Sequence, residues 1–214
     1  MKTFTQALLD LVLPNSCLGC RTGGVALCDE CLTQIPPALD DYEPNLRARF
    51  SYGHPIIKRA LWKFKFKGFK ILAEPFGRSL GELILEDLNE LENLEGFRAP
   101  ILIPAPLSRA RHRERGFNQA ELLANVVSKI TGLSVNAELL IKTKNTPSQV
   151  SLGSRAARLH NLKNSFSVID PSRAEGGNFI IIDDVYTTGT TARELMRILT
   201  QAGARHTFAY TLAH

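Results

Sequence analysis

Long hydrophobic runs are missing from this chain. No uninterrupted apolar stretch approaches the roughly 18 residues that a spanning helix needs, so membrane insertion is not expected. The start, MKTFTQALLDLVLP, has only Lys2 as a basic leader region and carries Asp10 inside its apolar segment. Phe4, Leu8, Leu11 and Val12 instead fit one face of an amphipathic helix that Pro14 ends. The chain is therefore read as cytoplasmic rather than secreted. Also missing are the Gly-x-x-x-x-Gly-Lys of a P-loop and the Gly-x-Gly-x-x-Gly of a dinucleotide fold. Internal repeats and low-complexity tracts are absent, which removes solenoid and fibrous readings. Cysteine does not occur outside one short cluster.

What is present suits a folded α/β domain. The 214 residues are 44% hydrophobic and 22% charged, ordinary for a globular protein. The net charge of +5 is unevenly placed. Arg47 to Lys70 holds eight Lys and Arg and no acid, and Arg109 to Arg115 holds four Arg and one Glu. An acidic segment, Glu82 to Glu95, lies between them. Clustered basic charge points to a polyanionic partner more than the total does.

All four cysteines fall within fifteen residues, as CLGC (Cys17, Cys20) and CDEC (Cys28, Cys31). Two Cys-x-x-Cys knuckles this close read as one tetrahedral zinc site. Gly19 serves the first tight turn, and Gly23 and Gly24 let the chain reverse before the second. Disulfides are disfavoured in the cytoplasm. Four thiolates leave no open position, so the zinc is read as structural.

Residues Ile35 to Asn45 contain three prolines and read as a linker. This divides the chain into a zinc-binding segment with its leading helix, 1–45, and a larger domain, 46–214. Helices are expected over Ile56–Phe66, with Pro55 in the first turn and Gly68 closing it, and over Ala73–Leu88, Asn118–Ile130, Ser154–Leu162 and Thr190–Gln201, the last ended by Gly203. Strands are expected near Ile101–Ile103, Ala137–Ile141, Ser165–Val168, Phe179–Ile182 and Thr207–Leu212. Strands alternating with helices imply a mostly parallel sheet covered on both faces.

The densest signal is Ile180 to Thr191, IIIDDVYTTGTT. Ile180, Ile181 and Ile182 read as a buried parallel strand. Apolar character stops at Asp183, and the carboxyl ends of such strands are where ligands sit. Thr187, Thr188, Thr190 and Thr191 offer hydroxyls around Gly189, and the following helix adds its positive dipole end. The loop suits a phosphate. A nucleotide phosphate lacks its usual glycine signatures here, and a metal lacks a third ligand nearby in sequence. A ribose 5-phosphate remains, with Asp183 and Asp184 accepting hydrogen bonds from the vicinal hydroxyls.

The strand, acid pair and TTGTT turn resemble the phosphoribosyl-pyrophosphate signature of type I phosphoribosyltransferases. More narrowly, nearly the whole chain resembles the ComF family of competence proteins. The matching residues are the four cysteines, KFKG (Lys65 to Gly68), IPAPLSRARHRERGFNQA (Ile103 to Ala120), TPSQVSLGSRAARLHN (Thr146 to Asn161) with Phe166, and DDVYTTGTTA (Asp183 to Ala192). The resemblance implies a type I phosphoribosyltransferase-like fold that binds phosphoribosyl pyrophosphate with Mg²⁺. It implies that the loop Pro104 to Leu107, Ala105 included, faces pyrophosphate through its amides. Two prolines remove two donors, and Arg109, Arg111, Arg113 and Arg115 follow to supply positive charge. Lys144 to Arg158 is the implied mobile cover, hinged at Gly153 and Ser154, with Arg155 and Arg158 reaching toward pyrophosphate. His160 is read as a surface or cap residue rather than a base. In a transfer reaction, Asp183 and Asp184 would stay ionised beneath the ribose as positive charge develops on the ring.

The stretch RALWKFKFKGFK interleaves Trp62, Phe64, Phe66 and Phe69 with Lys63, Lys65 and Lys67. Cations for phosphates and aromatic faces for bases suit single-stranded nucleic acid. An amphipathic helix with solvated lysines explains the same pattern. The resemblance favours DNA, because the family handles imported single strands in natural transformation, alongside a helicase partner. Two readings stand side by side. One is a DNA-uptake factor that keeps a phosphoribosyl pocket. The other is an active phosphoribosyltransferase with an unidentified acceptor.

Overall fold

The computed structural model describes residues 16–39, 43–94, 96–143 and 165–214. The expected leading helix, the helix Ser154–Leu162, the implied mobile cover and Arg155, Arg158 and His160 lie outside the described residues.

Four strands form one parallel sheet in the order β1–β6–β5–β2. They are β1 (Leu46–Phe50), β2 (Ile101–Pro104), β5 (Asn178–Val185) and β6 (His206–Ala213). Leu102 also bridges in parallel to Val135. The register sets Ile180 beside Leu102 and Phe208, and Asp183 beside Thr211. β-Branched residues suit this pleated, doubly covered position. Ile180 and Ile182 enter one buried cluster, with Phe64, Phe76, Leu80, Leu123 and Tyr210. Phe179 and Ile181 enter another, with Leu195, Leu199 and Ala209. The period of two along β5 thus feeds both layers.

The first layer is built from α2 (Pro55–Phe66), α3 (Ala73–Leu91) and α5 (Gln119–Thr131). In α2 the buried residues are Ile57, Ala60, Leu61 and Phe64, one face of a helix that Pro55 opens. The second layer is α6 (Thr190–Gln201), whose bounds match the expectation. Two further helices are short: α1 (Asp29–Thr33) in the cysteine segment and α4 (Arg109–Arg115) after β2.

Two points differ from the sequence reading. The strands expected near Ala137 and Ser165 form β3 (Leu140–Lys142) and β4 (Phe166–Val168), which pair antiparallel with each other outside the main sheet. And β1 is a strand missing from the sequence reading, although Leu46, Ala48 and Phe50 alternate with Arg47 and Arg49 in the period-two pattern of a strand. These arginines have structural partners. Arg47 lies 3.6 Å from Asp87, whose carboxylate also accepts the buried Tyr210 hydroxyl at 2.8 Å. Arg49 donates to Ser79 at 2.9 Å. Part of the basic run from Arg47 therefore serves the edge of the sheet.

The cysteine segment shares the larger core. Cys17, Leu27, Cys31, Leu32 and Ile35 belong to the same buried cluster as Phe64 and Phe76. Arg59 of α2 donates to the Leu18 carbonyl at 2.7 Å. Among the described residues no helix is long and apolar enough to cross a membrane.

Candidate ligand and metal sites

The four thiol sulfurs all lie within 4.8 Å of one another. Cys17 and Cys28, and Cys20 and Cys28, stand 3.6 Å apart. A tetrahedron with zinc–sulfur bonds of about 2.3 Å spaces its sulfurs about 3.8 Å apart, so the donor set suits zinc. The amides of Gly19 and Cys28 each donate to the Cys17 sulfur at 3.3 Å. Burial raises the Cys17 thiol, but these amides and that of Cys20 outweigh it and bring it down to about 6. Burial and the neighbouring sulfurs push Cys31 up to about 12. Gly19 is required for close approach: a Cβ there would sit 2.4 Å from the Cys31 sulfur.

The acid pair stands at the carboxyl end of β5, as the apolar-to-acid switch predicts. Asp183 is partly buried and Asp184 is buried. Asp183 accepts the Asp184 amide at 2.8 Å. Burial first, then the Asp184 charge, push the Asp183 carboxyl up to about 7, against the opposing pull of Lys65 and Lys142. Asp184 pairs with Lys65 of α2, Oδ1 to Nζ at 2.9 Å.

The turn after the pair is held from three sides. Gly189 caps α6 in the left-handed region, φ 68°, where a side chain is strained. A Cβ there would also meet the Tyr186 ring at 2.6 Å. Thr188 and Thr190 share a hydroxyl hydrogen bond at 2.7 Å. Arg193 donates to the Thr188 carbonyl at 2.7 Å and forks onto the Glu43 carboxylate. The Tyr186 ring stacks on His214 at 4.2 Å. Asp183, Thr187, Gly189, Thr190, Thr191 and Thr211 line one small concavity beside the start of α6. Its orphan amides and dipole suit an anion there.

The remaining expected residues separate by position. On α4, Arg111 and Arg115 are partly buried while Arg109 and Arg113 are exposed. The i, i+4 spacing puts each pair on its own face. The charges of Asp184 and Asp183 act on Arg115, whereas Arg109 faces solvent. The Ala105 amide is committed to the sheet, donating to the Ile182 carbonyl at 2.8 Å. In the rest of the RGFNQ stretch, Gly116 ends α4, Phe117 is core, Asn118 caps α5 while donating to the Ala105 carbonyl at 3.1 Å, and Gln119 is buried with its Nε2 unpartnered among the described residues.

On α2, Lys65 turns inward to Asp184. Trp62 and Phe66 are 50% and 52% exposed, so the helix keeps an aromatic outer face. Lys67 lies over Trp62 at 5.2 Å, Lys63 over Phe69 at 4.5 Å, and Arg115 over Phe66 at 4.9 Å. Lys142, which no motif marks, lies over the Phe166 ring at 5.1 Å. Burial first, then Arg111, push its ammonium down to about 8, against the pull of Asp183.

No protein-family model matches the chain. Two solved structures illustrate distant likenesses. The glutamine phosphoribosylpyrophosphate amidotransferase from B. subtilis is 18% identical, over 65% of this chain and 25% of that one, with a TM-score of 0.41. The hypoxanthine phosphoribosyl transferase of Trypanosoma cruzi is 12% identical, over 66% and 64%, with a TM-score of 0.43. Overlap at this level leaves the fold to be read from the chain's own sheet. Its doubly covered parallel strands, strand-end acid pair and adjoining small segment are the layout expected of a type I phosphoribosyltransferase-like domain.

The curated relatives are nearer. "DNA utilization protein YhgH" of Shigella flexneri is 32% identical over 183 residues, 83% of this chain and 73% of that protein. "Competence protein F" of Haemophilus influenzae is 28% identical over 87% and 77%. "Competence protein ComFC" of Bacillus subtilis is 31% identical over 73% and 58%. Identity sustained across most of both partners, together with the clustered cysteines and the acid-pair turn, means that the chain belongs to the ComF family of competence proteins.

Proposed function

We propose that this protein is a competence-associated, phosphoribosyltransferase-like factor that binds phosphoribosyl pyrophosphate with Mg²⁺ and single-stranded DNA. The observation that carries the pocket is the acid pair at the end of β5, beside a threonine turn that opens α6. The 5-phosphate would take the hydroxyls of Thr187, Thr188, Thr190 and Thr191 and the amides at the start of α6. Asp183 and Asp184 would accept the ribose hydroxyls, each charge-assisted bond contributing about 1.5–3 kcal/mol. Among the described residues only the four cysteines cluster as ion ligands. Mg²⁺ would therefore arrive on the pyrophosphate oxygens, and the acids would act as hydrogen-bond acceptors. When bound, Mg²⁺ neutralises leaving-group charge; the protein's part is to hold the ribose and keep the acids ionised beneath it. The four cysteines would hold one structural zinc.

The names of the relatives, with competence and DNA utilization in them, support a role in DNA uptake. The outer face of α2 supports a single strand as the nucleic acid, because exposed rings beside cations suit stacked bases and phosphates. Turnover with an unidentified acceptor is the second reading, supported by Lys65 standing at the acid pair.

Calorimetry with Mg²⁺-phosphoribosyl pyrophosphate tests the pocket. The parent should bind, and Asp183→Asn/Asp184→Asn should lose about a hundredfold or more, the sum of two charge-assisted bonds. A parent protein that does not bind would overturn the assignment.

A further inference from the structure

The threonine turn is braced by a residue from far outside it. Glu43 lies in the stretch between the cysteine segment and β1, 143 residues before Tyr186 and 150 before Arg193. That stretch is itself pinned to β1: the Ala38 amide donates to the Arg49 carbonyl at 3.3 Å and the Leu46 amide to the Glu43 carbonyl at 3.0 Å. The Glu43 carboxylate takes the Arg193 fork, with Nε 3.0 Å and 2.9 Å from its two oxygens. It also accepts the Tyr186 hydroxyl at 3.4 Å.

Arg193 sits in the first turn of α6, where a cation opposes the helix dipole. Glu43 offsets that charge and leaves Arg193 aimed at the turn, Nη1 donating to the Thr188 carbonyl at 2.7 Å. The Thr188–Gly189 peptide is trans, so its amide points opposite to its carbonyl. Arg193 on the carbonyl therefore fixes the direction of the Gly189 amide. A Cβ on Gly189 would meet Tyr186 at 2.6 Å and Arg193 at 2.9 Å. The two side chains that Glu43 holds are thus the two that close on the turn.

We propose that Glu43 is a positioning residue for the ribose 5-phosphate site. By holding Arg193 and Tyr186 it sets the geometry of the threonine turn, without touching the ligand itself. The stretch leading out of the cysteine segment thereby acts on phosphate binding. This rests on the ribose 5-phosphate reading of the acid pair and its turn.

Calorimetry with ribose 5-phosphate tests it on the parent, Glu43→Gln, Glu43→Asp, Arg193→Gln and Glu43→Gln/Arg193→Gln. Glu43→Gln should lose about fivefold, the upper end for a partly exposed ion pair. Glu43→Asp, which keeps the charge, should fall between it and the parent. The double variant should match Arg193→Gln within about twofold, because Glu43 acts through Arg193. Melting temperatures should stay within about 4 °C of the parent's, so that the losses are read on folded protein. Parent affinity in Glu43→Gln would overturn the proposal, and an early melt beside it would make the contact structural only. Tighter binding would overturn it too, making Glu43 a brake that withholds Arg193 from the phosphate. So would losses that add in the double variant. A parent that binds while its variants match it defeats this proposal alone; a parent that does not bind defeats the ribose 5-phosphate reading with it.

Discussion

Asp183 is the residue where burial and function conflict. Its carboxyl is pushed up to about 7, so the folded protein holds a proton that the unfolded chain releases near 4. Its raised value makes stability fall as pH rises from about 4 to about 7. Asp183→Asn should therefore melt later than the parent at pH 8, by on the order of 1–2 kcal/mol, with the gap closing toward pH 4. Ligand binding should run the other way. Ribose hydroxyls need the ionised acid, so parent affinity for ribose 5-phosphate should fall between pH 8 and 6. A flat profile in calorimetry would mean Asp183 is not the acceptor. Gly189 sets a second residue-scale limit. With φ at 68° and the Tyr186 ring in the way, Gly189→Ala should cost about 1–3 kcal/mol in thermal unfolding and weaken phosphate binding. Both residues were legible in the sequence, because a strand, two acids and a glycine turn are contiguous and each works through its near neighbours. Lys142 was not legible, because nothing in LIK distinguishes an inward lysine from a solvated one.

At the scale of elements, α2 is the piece that serves two surfaces. Its period was readable: Pro55 opens it and Ile57, Ala60, Leu61 and Phe64 form the buried stripe. The division of its lysines was not, since that depends on Asp184 arriving from β5. Lys65 belongs to the acid pair, leaving Lys63 and Lys67 beside Phe69 and Trp62 on the outer face. Lys63→Ala/Lys67→Ala should flatten the salt dependence of single-strand affinity by about 1.4 in log–log slope, two phosphate contacts at about 0.7 each. Trp62→Ala should cost about 1–3 kcal/mol, one stacked base. Fluorescence anisotropy across a salt series measures both, and an unchanged slope would move the strand off this helix. The same logic splits α4. Four arginines at alternating positions look equivalent in sequence, yet only Arg111 and Arg115 are partly buried, and the acid charges act on Arg115.

At the scale of the whole molecule, one core ties the cysteine cluster to the acid-pair site. Cys17, Leu27, Cys31 and Ile35 are buried in the cluster that includes Phe64 of α2, and Arg59 grips the Leu18 carbonyl. Zinc would hold a segment too short to fold alone, and in finger peptides its binding is worth about 10–16 kcal/mol. Removing it should therefore shift the main unfolding transition rather than add a separate early one. Calorimetric scans with and without a chelator check this, and metal analysis should find about one zinc per chain. An unmoved main transition would make the cysteine segment an independent appendage. It would also separate the metal from the placement of α2 and Lys65.

Sequence alone determined the features that are local. The two knuckles, the buried strand with its acid pair, the threonine turn and the helix from Thr190 each depend on spacing and period within a short stretch. Spacing also told which residue types could do the chemistry. Only the tertiary structure decided which cations face the acids, that the Ala105 amide is spent on β5, and that Leu46–Phe50 is an edge strand. A helix or strand carries its period in its own residues, but its rotation about the core is chosen by the neighbours that pack on it. Those neighbours come from distant parts of the chain.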